Sequence, residues 1–504
     1  MELSQNKSIE SVGAREEDKL EISNRCDTTN VFRICGEIER EPEIMADTVT
    51  GRGSMERKRV VIVGGGFAGI NAAIQLAKLP VDVTMVDRKN YHLFQPLLYQ
   101  VALAVLSPAD IAQPIRAIVR NHPNIDVLMD EATAFDLQQQ RVLLKTGVKL
   151  EYDYLILATG STHSYFGRDD WAKLAPGLKT VEDATEIRRR VLLAFELAER
   201  EMMEKGTHPA LNFVIIGGGP TGVELAGAIS DIAKLYMSKD FRHIDPSMAQ
   251  VLILEGSPNI LAAYPPDLQR KAGEQLQGLG VQFRTGAHVT DVQPGYVMIG
   301  AERTDAVVTL WAAGVQASPL GKLLGFPTDR RGCVFVDSHL NPPGHPEIFI
   351  CGDLAHVEEN GRQVPGVAQP AIQMGTYAAK RIGRLIAVSL GSDGSGRDEP
   401  FHYFDKGDMA TIGRKAAVAN IQWPFKGHWS GFPAWITWLV VHIFFLIGFR
   451  NRLSVFRQWA WTYLTFRDSA RLITGSQELP GWKSEDDPSG SLTTRPLDMA
   501  SPRT

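Results

Sequence analysis

Val60-Val61-Ile62-Val63-Gly64-Gly65-Gly66-Phe67-Ala68-Gly69, followed by the helix-like Ile70 to Leu79, is the stretch on which the fold turns. The β-branched run reads as a buried strand, and the glycines after it read as a tight turn into a helix. In a dinucleotide-binding turn the first glycine makes the bend and the second lets backbone approach a pyrophosphate. The third lets helix close on strand. Gly64, Gly66 and Gly69 stand at those places. The same grammar returns as Phe213 to Ile216, then Gly217-Gly218-Gly219-Pro220-Thr221-Gly222, then the helical Val223 to Ile229.

The repeat predicts an α/β chain with two Rossmann-like dinucleotide-binding domains. A glycine turn by itself is weak evidence, because any strand-to-helix turn has structural uses for glycine. The context is more specific. After the first turn, Val81 to Val86 forms an apolar strand ending in Asp87, and after the second, Val251 to Leu254 ends in Glu255. An acid at that strand end accepts hydrogen bonds from ribose hydroxyls and repels a 2′-phosphate, so NADH is favoured over NADPH. The alternative for either acid is a solvated strand end. The second spacing is stretched, and Leu235 to Gln250 reads as an insertion.

Two further strands end in small-residue turns, Tyr154-Leu155-Ile156-Leu157-Ala158-Thr159-Gly160 and Leu310-Trp311-Ala312-Ala313-Gly314, and each could close its own sheet. Ile348-Phe349-Ile350-Cys351 runs into Gly352-Asp353, a helix is expected from Gln369 to Ile386, and Gly391 to Gly396 reads as a linker.

With 504 residues the chain is long enough for more than one hydrophobic core. Its 53 Lys+Arg against 58 Asp+Glu give a formal charge of −5 with no basic stripe, so nucleic acid is not an expected partner. The four cysteines, Cys26, Cys35, Cys333 and Cys351, have neither disulfide-scaffold density nor a C-x-x-C spacing, and no metal site is expected. Residues 1–57 read as a disordered extension. They lack a signal-length apolar run, and acids such as Glu16, Glu17 and Asp18 argue against a transit peptide.

The two glycine turns, their closing A-T-G and A-A-G segments and the late C-G-D resemble the two-dinucleotide-binding-domain flavoproteins. Tyr91-His92-Leu93-Phe94-Gln95-Pro96-Leu97-Leu98-Tyr99-Gln100, Leu310 to Gln316, Ala368-Gln369-Pro370-Ala371-Ile372-Gln373-Met374-Gly375 and Met409-Ala410-Thr411-Ile412-Gly413-Arg414 narrow the match. They are similar to those of type II NADH dehydrogenases, the single-subunit NADH:quinone oxidoreductases.

The resemblance implies FAD on the first unit (58–172 with 305–390) and NADH on the second (173–304). Implied contacts on the first unit are Gly64, Gly66, Phe67, Ala68, Gly69, Asp87, Arg88, Ala158, Gly160 and Asp353. On the second they are Gly217, Gly219, Thr221, Gly222, Glu255, Ala313 and Gly314. It also implies that Gln369 and Gln373 reach the carbonyls of a membrane quinone, ubiquinone or menaquinone, and that Glu224 lies between nicotinamide and flavin. The glutamines could instead line an ordinary helix start, and Glu224 could be a structural carboxylate held by the helix dipole. Glu224, Lys415 and water are candidate proton donors. No redox cysteine pair accompanies Leu93 to Val101, as a disulfide reductase would need, and Cys333 and Cys351 read as small buried hydrophobes rather than the thiols of a sulfide:quinone reductase. A non-turnover redox sensor would leave the apolar tail and the glutamines without purpose.

That tail is Phe432 to Phe449, apolar except for Thr437 and His442 and followed by Arg450, Arg452 and Arg457. Its length is borderline for a span across a hydrocarbon core of about 30 Å. The aromatic, arginine-punctuated Leu453 to Leu464 favours a helix lying in the membrane interface, with a buried helix or homodimer contact as the alternative. Residues 400–475 are therefore expected to form a monotopic membrane-association region, and 476–504 a disordered tail. The resemblance implies a peripheral enzyme on the cytoplasmic face of a bacterial inner membrane, transferring electrons without pumping protons.

Overall fold

The computed structural model describes residues 57–391, 398–465, 471–476 and 478–482. The expected N-terminal extension up to Glu56, Cys26, Cys35, nearly all of the Gly/Ser linker and most of the C-terminal tail lie outside the described residues.

Strand β1 (Lys58–Val63) passes through the first glycine turn into helix α1 (Phe67–Leu76) and strand β2 (Val81–Asp87). Strands β3 (Ile125–Met129) and β4 (Tyr154–Leu157) follow, then the long helix α2 (Val181–Lys205). The second unit repeats the pattern with β5 (Asn212–Ile216), α3 (Pro220–Asp231), β6 (Gln250–Leu254), β7 (Val281–Arg284) and β8 (Val308–Trp311). The chain then returns with β9 (Ile348–Ile350) and α4 (Ala368–Ser389).

The first sheet runs β9-β4-β1-β2-β3 and the second β7-β6-β5-β8, with every pairing parallel. Parallel strands have both faces covered, which is why they read as unbroken apolar runs. Val60 to Val63 and Phe213 to Ile216 are at most 5% exposed. The expected insertion forms short helical turns, among them Ile232–Tyr236 and Pro246–Met248.

The boundary expected at 305 is wrong. β8 pairs with β5, Phe213 beside Val308 and Ile216 beside Trp311, so the chain leaves the second unit only after Trp311. The cause is the internal repeat itself: each unit takes as its closing strand the one that precedes its own small-residue turn.

After α4 come an antiparallel meander, β10 (Gly407–Ile412), β11 (Ala416–Ile421) and β12 (Gly427–Ser430), and two helices, α5 (Phe432–Phe445) and α6 (Phe449–Thr465). The meander packs on α3 so closely that a Cβ on Gly227 would lie 2.5 Å from the Gly413 nitrogen. The apolar run Phe432 to Phe449 is not one helix. It stops at Phe445, Leu446 is extended, and Gly448 takes φ +88° before α6 begins. A helix of 14 residues is about 21 Å long, short of a hydrocarbon core of about 30 Å. Among the described residues no helix is long and apolar enough to cross a membrane.

The tail expected to be disordered from 476 is ordered at its start. Arg189 of α2 donates to the carbonyls of Ser476 (2.7 Å) and Glu478 (2.6 Å), and Leu479 is buried in the core of the second unit. One apolar side chain and one buried arginine outweigh the polar composition around them.

Candidate functional site

The first glycine turn is built by contact. Gly64 has φ +108°, and a Cβ there would stand 2.3 Å from the Ala158 carbonyl oxygen. A Cβ on Gly69 would lie 1.8 Å from the Gly64 oxygen. Gly66 differs, because a Cβ there meets nothing within 4 Å, and it caps α1 without any side-chain hydrogen bond. The open helix start presents free N–H donors and the positive end of the dipole, an arrangement that takes phosphate.

Asp87 accepts from the Gly65 amide (2.6 Å) and from the Lys89 amide (2.7 Å), with the Arg88 charge beside it. Burial nonetheless raises its carboxyl above the usual range. Under the turn, buried His92 faces the Gly65 carbonyl through Nδ1 at 3.0 Å, and burial lowers its pKa. A neutral ring there donates from Nδ1 and keeps Nε2 as an acceptor. His92 Nε2 and Thr159 Oγ1 are buried without a partner, and such orphans beside an open helix start fit a large polar guest. Phe67 packs edge-on to His92 and Phe94, while Ala68 lies beneath α4, where a Cβ on Gly375 would come 2.1 Å from the Ala68 oxygen. Gly160, at φ +65°, follows β4. Asp353 accepts from Ser161 Oγ (2.5 Å) and lies 3.7 Å from Lys179 Nζ. Ser161 and Lys179 were invisible in the sequence, since neither belongs to a motif.

The second turn repeats the first. Gly217 has φ +110° and abuts the Ala312 carbonyl, a Cβ on Gly222 would lie 1.9 Å from the Gly217 oxygen, and Gly219 has nothing within 4 Å. Glu255 accepts from the amides of Gly218 and of Ser257, two residues on, as Asp87 does from Gly65 and Lys89. Gly217, Gly219, Glu255 and Ala313 line a cavity of about 750 Å³. Its wall also includes Trp311 of the second closing segment and Phe166, Arg168, Trp171 and Tyr264, which belong to no motif of the sequence. Thr221 and Gly222 are not part of this lining, and Gly314 packs on the Phe166 ring instead.

The two glutamines part company. Gln373 accepts from the Phe404 amide (2.9 Å) and donates to its carbonyl (3.0 Å), so the backbone of the following segment engages both ends of its amide. Gln373 fastens α4 to the chain that returns from it, and its amide keeps a second N–H and a second lone pair for a further partner. Gln369 donates to the Gly407 carbonyl (3.0 Å) and keeps a buried, unpartnered Oε1. Glu224, in the first turns of α3, is half-buried with the Thr411 amide 3.5 Å from its Oε1, and burial pushes its carboxyl up to about 8.

Cys333 and Cys351 are 4% and 0% exposed, and burial raises both thiols, Cys333 to about 11. A thiol held protonated is neither nucleophile nor redox partner at neutral pH. Among the described residues no cluster of His, Cys, Asp or Glu could hold a metal ion.

The pyridine nucleotide-disulphide oxidoreductase family matches residues 58–375, and the NDH2 C-terminal domain matches 406–468. The chain is 42% identical over 433 residues to the type II NADH:quinone oxidoreductase Ndh of Mycobacterium tuberculosis, covering 84% of this chain and 91% of that one. It is 42% identical over 421 residues to NdhA of the same organism, covering 81% and 87%. Its fold matches NDH2 of Plasmodium falciparum in complex with NADH, with TM-score 0.71 at 20% identity over 83% of this chain and all of that one.

Proposed function

We infer the function from the premise that this chain belongs to the pyridine nucleotide-disulphide oxidoreductase family and, within it, to the type II NADH:quinone oxidoreductases. It is an FAD-dependent oxidoreductase of the overall reaction NADH + H⁺ + quinone → NAD⁺ + quinol. The observation that carries this reading is the duplicated cradle, in which Asp87 holds the Gly65 amide and Glu255 the Gly218 amide beside two open helix starts. FAD, when bound, supplies a two-electron acceptor for the hydride of NADH and a donor to quinone.

The residues of the chain bind and orient. Gly64, Gly66, Phe67, Ala68, Gly69, Asp87, Arg88, Ala158, Gly160 and Asp353 would hold FAD, with the α1 N-terminus against the pyrophosphate. Gly217, Gly219, Thr221, Gly222, Glu255 and Ala313 would hold NADH, and the 750 Å³ cavity is of the size that encloses a ligand of this kind. Glu255 disfavours a 2′-phosphate by charge. Gln369, with an unpartnered oxygen, can orient a polar substrate group, and Glu224 can hold a proton near neutral pH. Phe432, Ile436, Val440 and Phe444 recur along one side of α5 and are 41–59% exposed. That stripe, with exposed Leu453, Phe456 and Trp461 on α6, suits a monotopic seat on a membrane that supplies a lipid-soluble quinone, ubiquinone or menaquinone. The reading places the enzyme on the cytoplasmic face of a bacterial inner membrane.

Steady-state kinetics with a water-soluble quinone test it. FAD-loaded protein should oxidise NADH and form quinol one for one over many turnovers. A preparation whose flavin is bleached once by NADH and then stops would instead mark a redox sensor.

A further inference from the structure

Phe166, on the wall of the cavity of about 750 Å³, is 70% exposed, while Trp171, Leu254, Leu261, Tyr264 and Trp311 on the same wall are at most 5% exposed. Its backbone is as unusual as its exposure. Phe166 has φ +52° and Gly167 φ +87°, and the Arg168 amide donates to the Tyr165 carbonyl at 3.0 Å. Two central residues at positive φ make a tight turn of the I′ kind, whose first central place favours asparagine or glycine and strains a bulky residue.

The turn is fixed at both ends. Before it, the buried Tyr165 ring lies against Trp311, 4.9 Å between centroids, and its hydroxyl donates to the Ala175 carbonyl at 2.9 Å. After it, Arg168 is paired with Asp170 and Asp291 and lies 4.6 Å over the Trp171 ring. The Phe166 ring rests its tip on Gly314, where a Cβ would stand 2.8 Å from Cζ, and most of its surface stays uncovered. An aromatic ring strained in its backbone and uncovered by its neighbours contributes little to the fold, and strain of this kind gathers at ligand clamps.

The sheet decides which part of NADH meets that ring. Glu255 follows β6, and the wall residues His288 and Val289 come after β7, so the adenosine half belongs over β6 and β7. The pyrophosphate belongs to the turn after β5, and in the order β7-β6-β5-β8 an extended dinucleotide continues from there toward β8. Trp311 ends β8 and Gly314 comes just after it, and these are the residues Phe166 touches, its centroid 5.8 Å from that of Trp311. We propose that Phe166 is a binding residue for NADH, its ring packing on the nicotinamide base and fixing the half of the molecule that gives up hydride. The proposal rests on the reading that NADH occupies this cavity.

Anaerobic stopped-flow reduction of the full-length, FAD-loaded enzyme by NADH tests it, with ADP-ribose, which lacks only the nicotinamide base, as a competing ligand. In Phe166→Asn, which suits the turn, the NADH concentration for half-maximal flavin reduction should rise about tenfold, the scale of one aromatic contact and the area it covers. Inhibition by ADP-ribose should stay as in the wild type, and the melting temperature should not fall. Phe166→Tyr, which keeps the ring, should bind NADH as the wild type does. Phe166→Leu gives the same comparison with ADP-ribose if Phe166→Asn does not fold. An unchanged NADH concentration in Phe166→Asn or Phe166→Leu, or equal weakening of NADH and ADP-ribose, overturns the proposal. A wild-type flavin that NADH does not bleach would instead refute the reading of the cavity itself, and the proposal with it.

Discussion

Glycines of one motif do unlike work at the residue scale. A Cβ at Gly66 has open space, whereas one at Gly69 meets the Gly64 oxygen at 1.8 Å. Gly66→Ala is therefore expected to fold with near-native melting but to lose bound flavin at least tenfold, because the methyl stands where the pyrophosphate must approach. Gly69→Ala should lower the melting temperature by several degrees whether or not flavin is added. Flavin absorbance and thermal melts on both variants distinguish the two effects. Glu224 offers a second prediction. Its carboxyl is pushed up to about 8, so the native state holds a proton that the unfolded chain releases at the ordinary carboxylate range. Stability contributed by this group is present in acid and is lost as pH rises toward about 8. Glu224→Gln should melt a few degrees above the wild type at pH 9 and level with it at pH 5, as read by scanning calorimetry.

A break that composition does not announce matters most at the scale of elements. Phe432 to Phe449 is apolar throughout its length apart from Thr437 and His442, but Gly448 at φ +88° turns it into two helices instead of one. Neither is long enough to span, and both expose aromatic and aliphatic side chains. Replacing Ile436 and Val440 with glutamate should cut co-flotation with anionic lipid vesicles by tenfold or more, given about 1.5–3 kcal/mol for each apolar side chain removed from water. Turnover with a lipid-soluble quinone should fall with it. Equal flotation of the variant and the wild type would show that another surface meets the bilayer.

The last described segment, Glu478 to Trp482, belongs to the scale of the whole molecule. Leu479 is 4% exposed in the core of the second unit, far from it in sequence, and Arg189 holds the carbonyls on either side of residue 477. Leu479→Ala should cost about 2–3 kcal/mol, the low end for a buried leucine, measured by urea denaturation of the flavin-loaded protein. A change below a few tenths of a kcal/mol would mean that the segment merely rests on the surface.

Sequence alone determined the features that depend on neighbours along the chain: two strand-turn-helix units, the acid ending each second strand, the absence of a cysteine pair near the first turn, and the amphipathic character of the last helix. These are local because a turn needs its glycines in place and a buried strand needs an unbroken apolar run. Tertiary structure decided what depends on partners far apart in the chain. It put β8 in the second sheet, gave Gln373 to the Phe404 backbone, brought Ser161 and Lys179 to Asp353, and joined Trp459, Gln100, Tyr99 and Thr411 by side-chain hydrogen bonds. A buried polar atom must find a partner wherever the fold supplies one, and no periodicity in the chain records which partner that is.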